Sequence, residues 1–339
     1  MNTLNQELAI ASNSEQTVLL ARSIITTVMH FRRMMEGEEK CLASCTHCHS
    51  PHLAKVIRAI NAQKPIEFVL PAFPGKSPNP SKVLGVMPDM AEKQALIFLN
   101  NLCKQIQAIY EPGAKVVICS DGRVFSDVVG ISEAHISAYQ AEIDRLISVL
   151  ELTALSTFNL DDVYLDVSFE TARADLMANY GQNLEALKEK VKRGSKESAD
   201  ADAKEANRMY LGLTRFLVED AMYPGQVKSR TTIQKECKRN AYQAIIRSNA
   251  WTDLIAEKFP EALRLSIHPQ ICGSRKIGIQ LLGVETWMTP WHGVALNTGK
   301  HYVLMKHKEV QELAVNLVAD AQGRPSHYVL VEPSEIQSR

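Results

Sequence analysis

Apolar residues along the chain follow two kinds of spacing, and together these predict alternating helices and strands. Apolar positions three and four residues apart predict helices over 15–36, 52–61, 92–110 and 136–150. Short continuous apolar runs between them predict buried strands at 66–70, 115–119 and 163–165. This alternating order is typical of a parallel sheet that carries helices on both faces.

The pattern changes after a long predicted helix at 231–258. Beyond Pro260, short apolar runs predict strands at 263–267, 277–282, 294–296, 302–304 and 328–331. We therefore predict an α/β fold with a Rossmann-like parallel sheet over 1–225, and a helix plus a β-rich C-terminal subdomain over 226–339. The densely charged stretch 185–205 predicts the solvated tip of a helical hairpin.

Charge and cysteine usage narrow the class of protein. Lys plus Arg and Asp plus Glu both number 38, which argues against a protein that binds nucleic acid through its phosphates. No apolar run is long enough to span a membrane, and the N-terminus lacks the pattern of a secretory signal. The seven cysteines are odd in number, which favours a reducing cytoplasm over a disulfide framework.

Two unusual loops follow the first two predicted strands, at 71–80 and 120–126. Ligands bind at the carboxyl ends of strands in such sheets, so we expect the loops to meet at one edge, with Lys76 near Arg123. Gly75-Lys76-Ser77 resembles the end of a P-loop, but Leu70 stands where that motif needs glycine. Asp121 precedes a glycine turn, and the planar guanidinium of Arg123 suits a phosphate or a carboxylate.

Further cations and imidazoles could serve the same site. Arg230, Lys235 and Arg239 lie before and along the helix at 231–258, either as a solvated face or as an anion pocket. His268 and His292 are at predicted strand ends, beside Pro269 and Trp291, and they are candidate acid–base groups.

Three cysteines are spaced as Cys41-x3-Cys45-x2-Cys48. This is the spacing of the iron–sulfur site in radical S-adenosylmethionine enzymes, but here it follows a helix rather than the first strand of a barrel. With a fourth ligand from His47, His49 or His52, the stretch could instead hold a structural zinc ion. Our preferred interpretation is no metal, with structural zinc second and the cluster third.

The loop sequences also carry a resemblance to a known family. The chain resembles the isocyanide (isonitrile) synthases of the PvcA type, which act in pyoverdine/paerucumarin and dityrosine biosynthesis, over about 20–335. The match rests on segments 68–79, 82–85, 88–92, 110–114, 120–127, 266–269 and 289–292.

The resemblance implies an isonitrile synthase, a lyase-type enzyme that requires no cofactor. It would convert the α-amino group of an aromatic L-amino acid, tyrosine rather than tryptophan, to an isocyanide, with ribulose 5-phosphate as co-substrate and carbon source. For that reaction the chemistry of the residues themselves makes Lys76, Asp121, His268 and His292 the candidate catalytic groups. The residues expected to bind substrate are Arg123, Arg230, Lys235, Arg239 and Trp291.

The resemblance also implies a partner, an iron/2-oxoglutarate-dependent oxygenase that takes the product. Two other functions stay open from the residues alone: an iron–sulfur radical S-adenosylmethionine enzyme that uses Cys41, Cys45 and Cys48, and a non-catalytic Rossmann-like binding module.

Overall fold

A computed structural model describes residues 2–38, 40–194, 197–283 and 288–331, with side chains from residue 14 onward. The helices α1 to α10 span Asn2–Met29, Thr46–Asn61, Met90–Gln107, Gly122–Val129, Glu133–Val149, Phe169–Tyr180, Leu184–Arg193, Ala201–Ala221, Arg230–Lys258 and His307–Val310. The strands β1 to β9 span Ile66–Pro71, Ala114–Cys119, Leu155–Phe158, Leu263–Ser266, Lys276–Gly278, Val294–Asn297, Tyr302–Met305, Val315–Ala319 and Pro325–Leu330.

The first five strands form a parallel sheet in the order β3-β2-β1-β4-β5. Strand order reverses between β1 and β4, and in sheets of this kind ligands bind where it reverses, outside the carboxyl ends of the strands. The predicted Rossmann-like parallel sheet is therefore confirmed.

Alternating side chains of the strands bury against helices on the two faces. Phe68 and Leu70 of β1 pack in a core shared with α1 and α3, whereas Val69 packs on the other face with Trp251 and Leu254 of α9. This period of two explains why the strands read as continuous apolar runs, since both faces are covered. Of the helices in the described residues, none is long and apolar enough to cross a bilayer.

The remaining strands form a second, mixed sheet in the order β7-β6-β9-β8. This sheet is the β-rich part predicted for the C-terminus. However, β4 and β5 pair with the parallel sheet, so a division of the chain at residue 225 passes through that sheet. Their short apolar runs do not reveal their partners, because a buried strand reads alike in either sheet.

The predicted strand at 163–165 is wrong, because β3 lies earlier, at Leu155–Phe158. Ser156 and Thr157 interrupt its apolar run, and Leu165 is 71% exposed. The first helix ends at Met29 rather than at 36, and the following residues extend along the sheet, where Met34 bridges Gln270.

Candidate active site

The loops after β1 and β2 meet at one edge of the sheet, as the sequence predicts. Ser120 Oγ donates to the carbonyl of Phe73 at 2.9 Å, and a side chain at Gly122 would collide with the carbonyl of Pro74. Phe73 is fully buried and has a positive φ of 58°. Residues other than glycine rarely adopt this conformation, and such strain is common at functional sites.

Lys76 lies in this loop and is held by buried carboxylates. Its Nζ lies 2.9 Å from Asp89 Oδ2 and 2.8 Å from Glu92 Oε2, and it donates to the carbonyl of Pro290 at 3.0 Å. Burial lowers the pKa of Lys76, but the two carboxylates outweigh burial, so the pKa is raised. Because an ammonium group has three protons, all of its donors are used within the protein.

Asp121 and Arg264 both carry buried polar atoms that lack a hydrogen-bond partner among the described residues. Burial raises the pKa of Asp121 to about 7, and a backbone hydrogen bond and then the charge of Arg264 oppose the rise only in part. Asp121 Oδ1 is buried and accepts no hydrogen bond from the described residues. The Nε and Nη1 of Arg264 are likewise buried and donate to none of them. A carboxylate that titrates near neutrality beside unused guanidinium protons suits both proton transfer and anion binding.

His292 forms a second group of polar side chains with α8. Its Nε2 lies 3.8 Å from Asp220 Oδ2, and its Nδ1 is 2.8 Å from the hydroxyl of Thr289. Asp220 also accepts from Ser77 Oγ at 2.9 Å and pairs with Lys82 Nζ at 2.5 Å. Burial, with Lys82 and then Lys76, holds the pKa of His292 well below its ordinary value, so the imidazole is neutral.

His268 follows β4, beside the point where the strand order reverses. Its side chain is exposed by area, yet the surrounding protein lowers its pKa, with Arg33 and Lys276 contributing after burial. His268 in turn lowers the pKa of His292, and Arg264 lowers that of Lys276. Arg264 and Lys276 are register partners on β4 and β5, and we call the part of the sheet edge that they share with His268 and His292 the recess.

Residues of helix α8 interact with this edge of the sheet and with the segment after α1. The negative charge of Glu205 raises the pKa of Lys276. Arg208 donates to the sulfur of Met35 at 3.4 Å, and Asp220 accepts a hydrogen bond from Ser77 Oγ. Their spacing puts them on one face of the helix. In the charged stretch 185–205, α7 packs against the start of α8 as expected for a helical hairpin, although residues 195–196 at its tip lie outside the described residues. Helix α8 then continues to Asp220, which accepts a hydrogen bond from Ser77 at the sheet edge.

Arg123 lies at the start of α4, at the same edge, and is held by protein partners. Its Nε lies 2.9 Å from Gln140 Oε1 and 3.1 Å from Asp161 Oδ2, and its guanidinium stacks over the ring of Phe169 at 4.1 Å. Substrate binding by Arg123 stays a prediction, and the contacts show what holds its side chain in place.

The other residues predicted to bind substrate lie either in the core or on the exposed surface of α9. Trp291 is 1% exposed and packs against Phe73, with ring centroids 5.2 Å apart, so it shapes the loop from within the core. Arg230, Lys235 and Arg239 are exposed in the first part of α9. Arg264 and Lys276, in contrast, lie within the parallel sheet, as register partners on β4 and β5.

Three residues of the site were not predicted from the sequence: Arg264, Lys82 and Asp220. Arg264 lies inside β4, and the apolar pattern there predicts a strand but no functional side chain. The only signal in the sequence was a charged residue within a buried strand. Lys82 and Asp220 are distant in sequence and meet only through the fold. A fourth cysteine, Cys272, was also missed, and it joins Cys41, Cys45 and Cys48.

The fold and the site thus define an α/β protein with buried polar and titratable side chains at the reversal point of a Rossmann-like sheet. A family model described as pyoverdine/dityrosine biosynthesis protein matches residues 56–318. The chain belongs to this family, and the resemblance stated from the sequence is confirmed.

Named relatives agree with this. An L-tyrosine isonitrile synthase of Pseudomonas aeruginosa is 46% identical over 325 residues, covering 93% of this chain and 95% of the relative. An L-tryptophan isonitrile synthase of Fischerella ambigua is 43% identical over 322 residues, covering 94% of each chain. The crystal structure of PvcA from Pseudomonas aeruginosa superimposes with a TM-score of 0.84 at 43% identity, covering 92% of this chain and 100% of that one.

Proposed function

We propose that this protein is an isonitrile synthase that acts on an aromatic L-amino acid, tyrosine in preference to tryptophan, and takes the isocyanide carbon from ribulose 5-phosphate. The observation that carries the proposal is that Asp121 Oδ1 and two nitrogens of Arg264 are buried at this sheet edge without hydrogen-bond partners among the described residues, while the charge of Arg264 acts on Asp121. The identity of 46% and 43% to synthases for tyrosine and tryptophan supports the substrate class.

The first bond to form would join the amino nitrogen to the ketone carbon of the sugar phosphate. The ammonium group must lose a proton before it attacks, and the ketone oxygen must leave as water when the imine forms. A group with a pKa of about 7, such as Asp121, can take the first proton and return one to the departing oxygen. No cofactor is needed for these steps.

Later steps would be proton abstractions, loss of inorganic phosphate and cleavage of a carbon–carbon bond, which leave the former ketone carbon on nitrogen. His268 and His292 are suited to move protons because their depressed pKa values keep them neutral at physiological pH. Asp220 would orient His292, and Lys82 holds Asp220 in place.

Both substrates carry anions, and the recess offers cations for them. Arg264 has two unused nitrogen donors, which fit the planar oxygens of a carboxylate or a phosphate. Lys276 adds a second positive charge across the recess. The three N–H donors of Lys76 are occupied by Asp89, Glu92 and the carbonyl of Pro290, so in this arrangement Lys76 stabilises the conformation of the loop.

The product would pass to an iron/2-oxoglutarate-dependent oxygenase, as the family resemblance implies, and we expect the protein to work in the cytoplasm. An isocyanide retains the carboxylate and the aromatic side chain of its precursor, so a second enzyme can recognise both.

Isotope labelling tests the proposal directly. Purified protein is incubated with tyrosine or tryptophan and ribulose 5-phosphate that carries ¹³C at the ketone carbon. We expect an isocyanide whose mass is one unit higher than with unlabelled sugar, and no increase when the label is at the neighbouring terminal carbon. Absence of isocyanide with both amino acids would overturn the proposal, and competition between them measures the preference.

A further inference from the structure

Four cysteine side chains converge on one point outside the recess. The sulfur of Cys272 lies 3.5 Å from that of Cys41, 3.8 Å from that of Cys45 and 3.4 Å from that of Cys48. Cys41 and Cys48 are 3.5 Å apart, and all four sulfurs lie within 4.8 Å of one another. A disulfide would bring two sulfurs to about 2.0 Å, so these are four free thiols.

The spacing matches a single tetrahedral metal ion. Zinc binds thiolate sulfur at about 2.3 Å, and a tetrahedron with that radius separates its sulfurs by about 3.8 Å. We propose that Cys41, Cys45, Cys48 and Cys272 bind one zinc ion in a closed, structural site. Four protein ligands fill its coordination, so the ion has no open position for substrate.

The choice of zinc over an iron–sulfur cluster follows from the sulfur distances. In a four-iron cluster each cysteine binds a different iron, so the sulfurs stand much farther apart than around one ion. A radical S-adenosylmethionine enzyme also needs one iron without a cysteine ligand, whereas Cys272 completes the set here.

Among the described residues no imidazole nitrogen joins the four sulfurs within 4.8 Å of one another, which favours a fourth thiolate over a fourth nitrogen. His49 Nε2 lies 2.7 Å from the carbonyl of Ala43. His47 packs against Gly273, where a side chain would overlap its ring. The backbone N–H of Cys48 points at the sulfur of Cys45, the ligand that precedes α2.

The ion would tie two distant parts of the chain together. Cys41, Cys45 and Cys48 lie before and within the first turn of α2, whereas Cys272 lies in the loop between β4 and β5. The same loop begins with His268. Backbone hydrogen bonds from Gln270 to Arg33 and from Met35 to Gln270 fix it from the other side. The zinc would thus hold the loop that carries one imidazole of the recess.

Metal content of the purified full-length protein tests the site without any assay of activity. We expect about one zinc per chain in the parent, and a loss of most of it in Cys272→Ser. Cys237→Ser removes a buried cysteine of α9 that lies outside the cluster, so it should keep the full zinc content. Metal-free parent protein from zinc-supplemented cells, or stoichiometric iron in place of zinc, would overturn the proposal.

Measurements on the parent protein keep the test valid if Cys272→Ser does not fold. Titration with an organic mercurial should release one zinc as four thiols react, and cobalt in place of zinc should give the visible absorption of a tetrahedral thiolate site. Release of zinc without reaction of these thiols, or an octahedral cobalt spectrum, would refute the assignment. The metal site stands apart from the proposed function, so failure of the labelling experiment would not affect it.

Discussion

Replacing Asp121 by asparagine should make the protein more stable and inactive at the same time. Ionising Asp121 in the folded protein is costly, because burial raises its pKa from 3.8 to about 7. A pKa that is higher by about three corresponds to about 4 kcal/mol of free energy opposing ionisation. Since the side chain is partly accessible, we expect about 2–4 kcal/mol. Asparagine keeps the shape and removes the charge.

The gain in folding stability of Asp121→Asn over the parent should depend on pH, and the raised pKa of Asp121 gives the direction of that dependence. The folded protein holds the Asp121 proton more tightly than the unfolded chain does, so this group favours folding at low pH. That contribution is lost as pH rises from about 4 to about 7. The stability gain of Asp121→Asn over the parent should therefore be near zero at pH 4, grow through this window and stay level above it.

Denaturant unfolding at a series of pH values measures this difference, and turnover is measured on the same samples. A proton-transferring group contributes roughly 10²–10⁴-fold to rate, so we expect a loss of that size. Asp253→Asn, which changes an exposed carboxylate of α9, is the matched control and should alter neither property. A pH-independent difference in stability, or turnover close to the parent value, would refute the reasoning.

Four further substitutions separate structural from functional roles. Lys76→Met should cost about 3–5 kcal/mol of folding free energy, seen in denaturant unfolding, because two buried carboxylates lose their cation. Arg264→Lys keeps the charge but loses the planar fork, so KM should rise about tenfold or more at an unchanged melting temperature. Gly212→Ala should stabilise α8 by about 1 kcal/mol without affecting KM, because a side chain there would meet no atom within 4 Å and alanine favours a helix over glycine. Arg123→Ala should lower stability by about 1–3 kcal/mol through its lost contacts with Asp161, and a raised KM at unchanged stability would instead assign it to substrate.

The sheet could be predicted from sequence because its signal is local. Strands buried on both faces read as apolar runs, and the strand–helix order implies parallel pairing, so the shared edge of the loops at 71–80 and 120–126 followed. Strand β3 was misplaced because Ser156 and Thr157 break its run. The partners of β4 and β5 could not be read, since pairing is decided by contacts far apart in sequence.

The site was predictable only in part, for the same physical reason. Asp121, His268 and His292 follow or adjoin recognisable strand ends, and their position on the sheet edge could be inferred. Tertiary contacts decide whether a charged side chain is paired within the protein or is free to bind a ligand. The pairing of Lys76 with Asp89 and Glu92 therefore had no local signal in the sequence. The fourth cysteine was missed because Cys272 lies more than 200 residues from the other three.

Two buried cations at the same edge of the sheet show how structural and functional charges differ. The three protons of Lys76 meet two carboxylates and a carbonyl, so its burial is compensated within the protein and moving a substrate against it would break these contacts. Arg264 is also enclosed, and burial lowers its pKa to about 10, yet two of its nitrogens have no acceptor among the described residues. A protein gains no stability from such a group, because an unsatisfied buried donor costs free energy. The cost is offset when an anion arrives, and this is why Arg264, rather than the lysine of the conspicuous Gly75-Lys76-Ser77 sequence, is the residue we expect to meet the substrate.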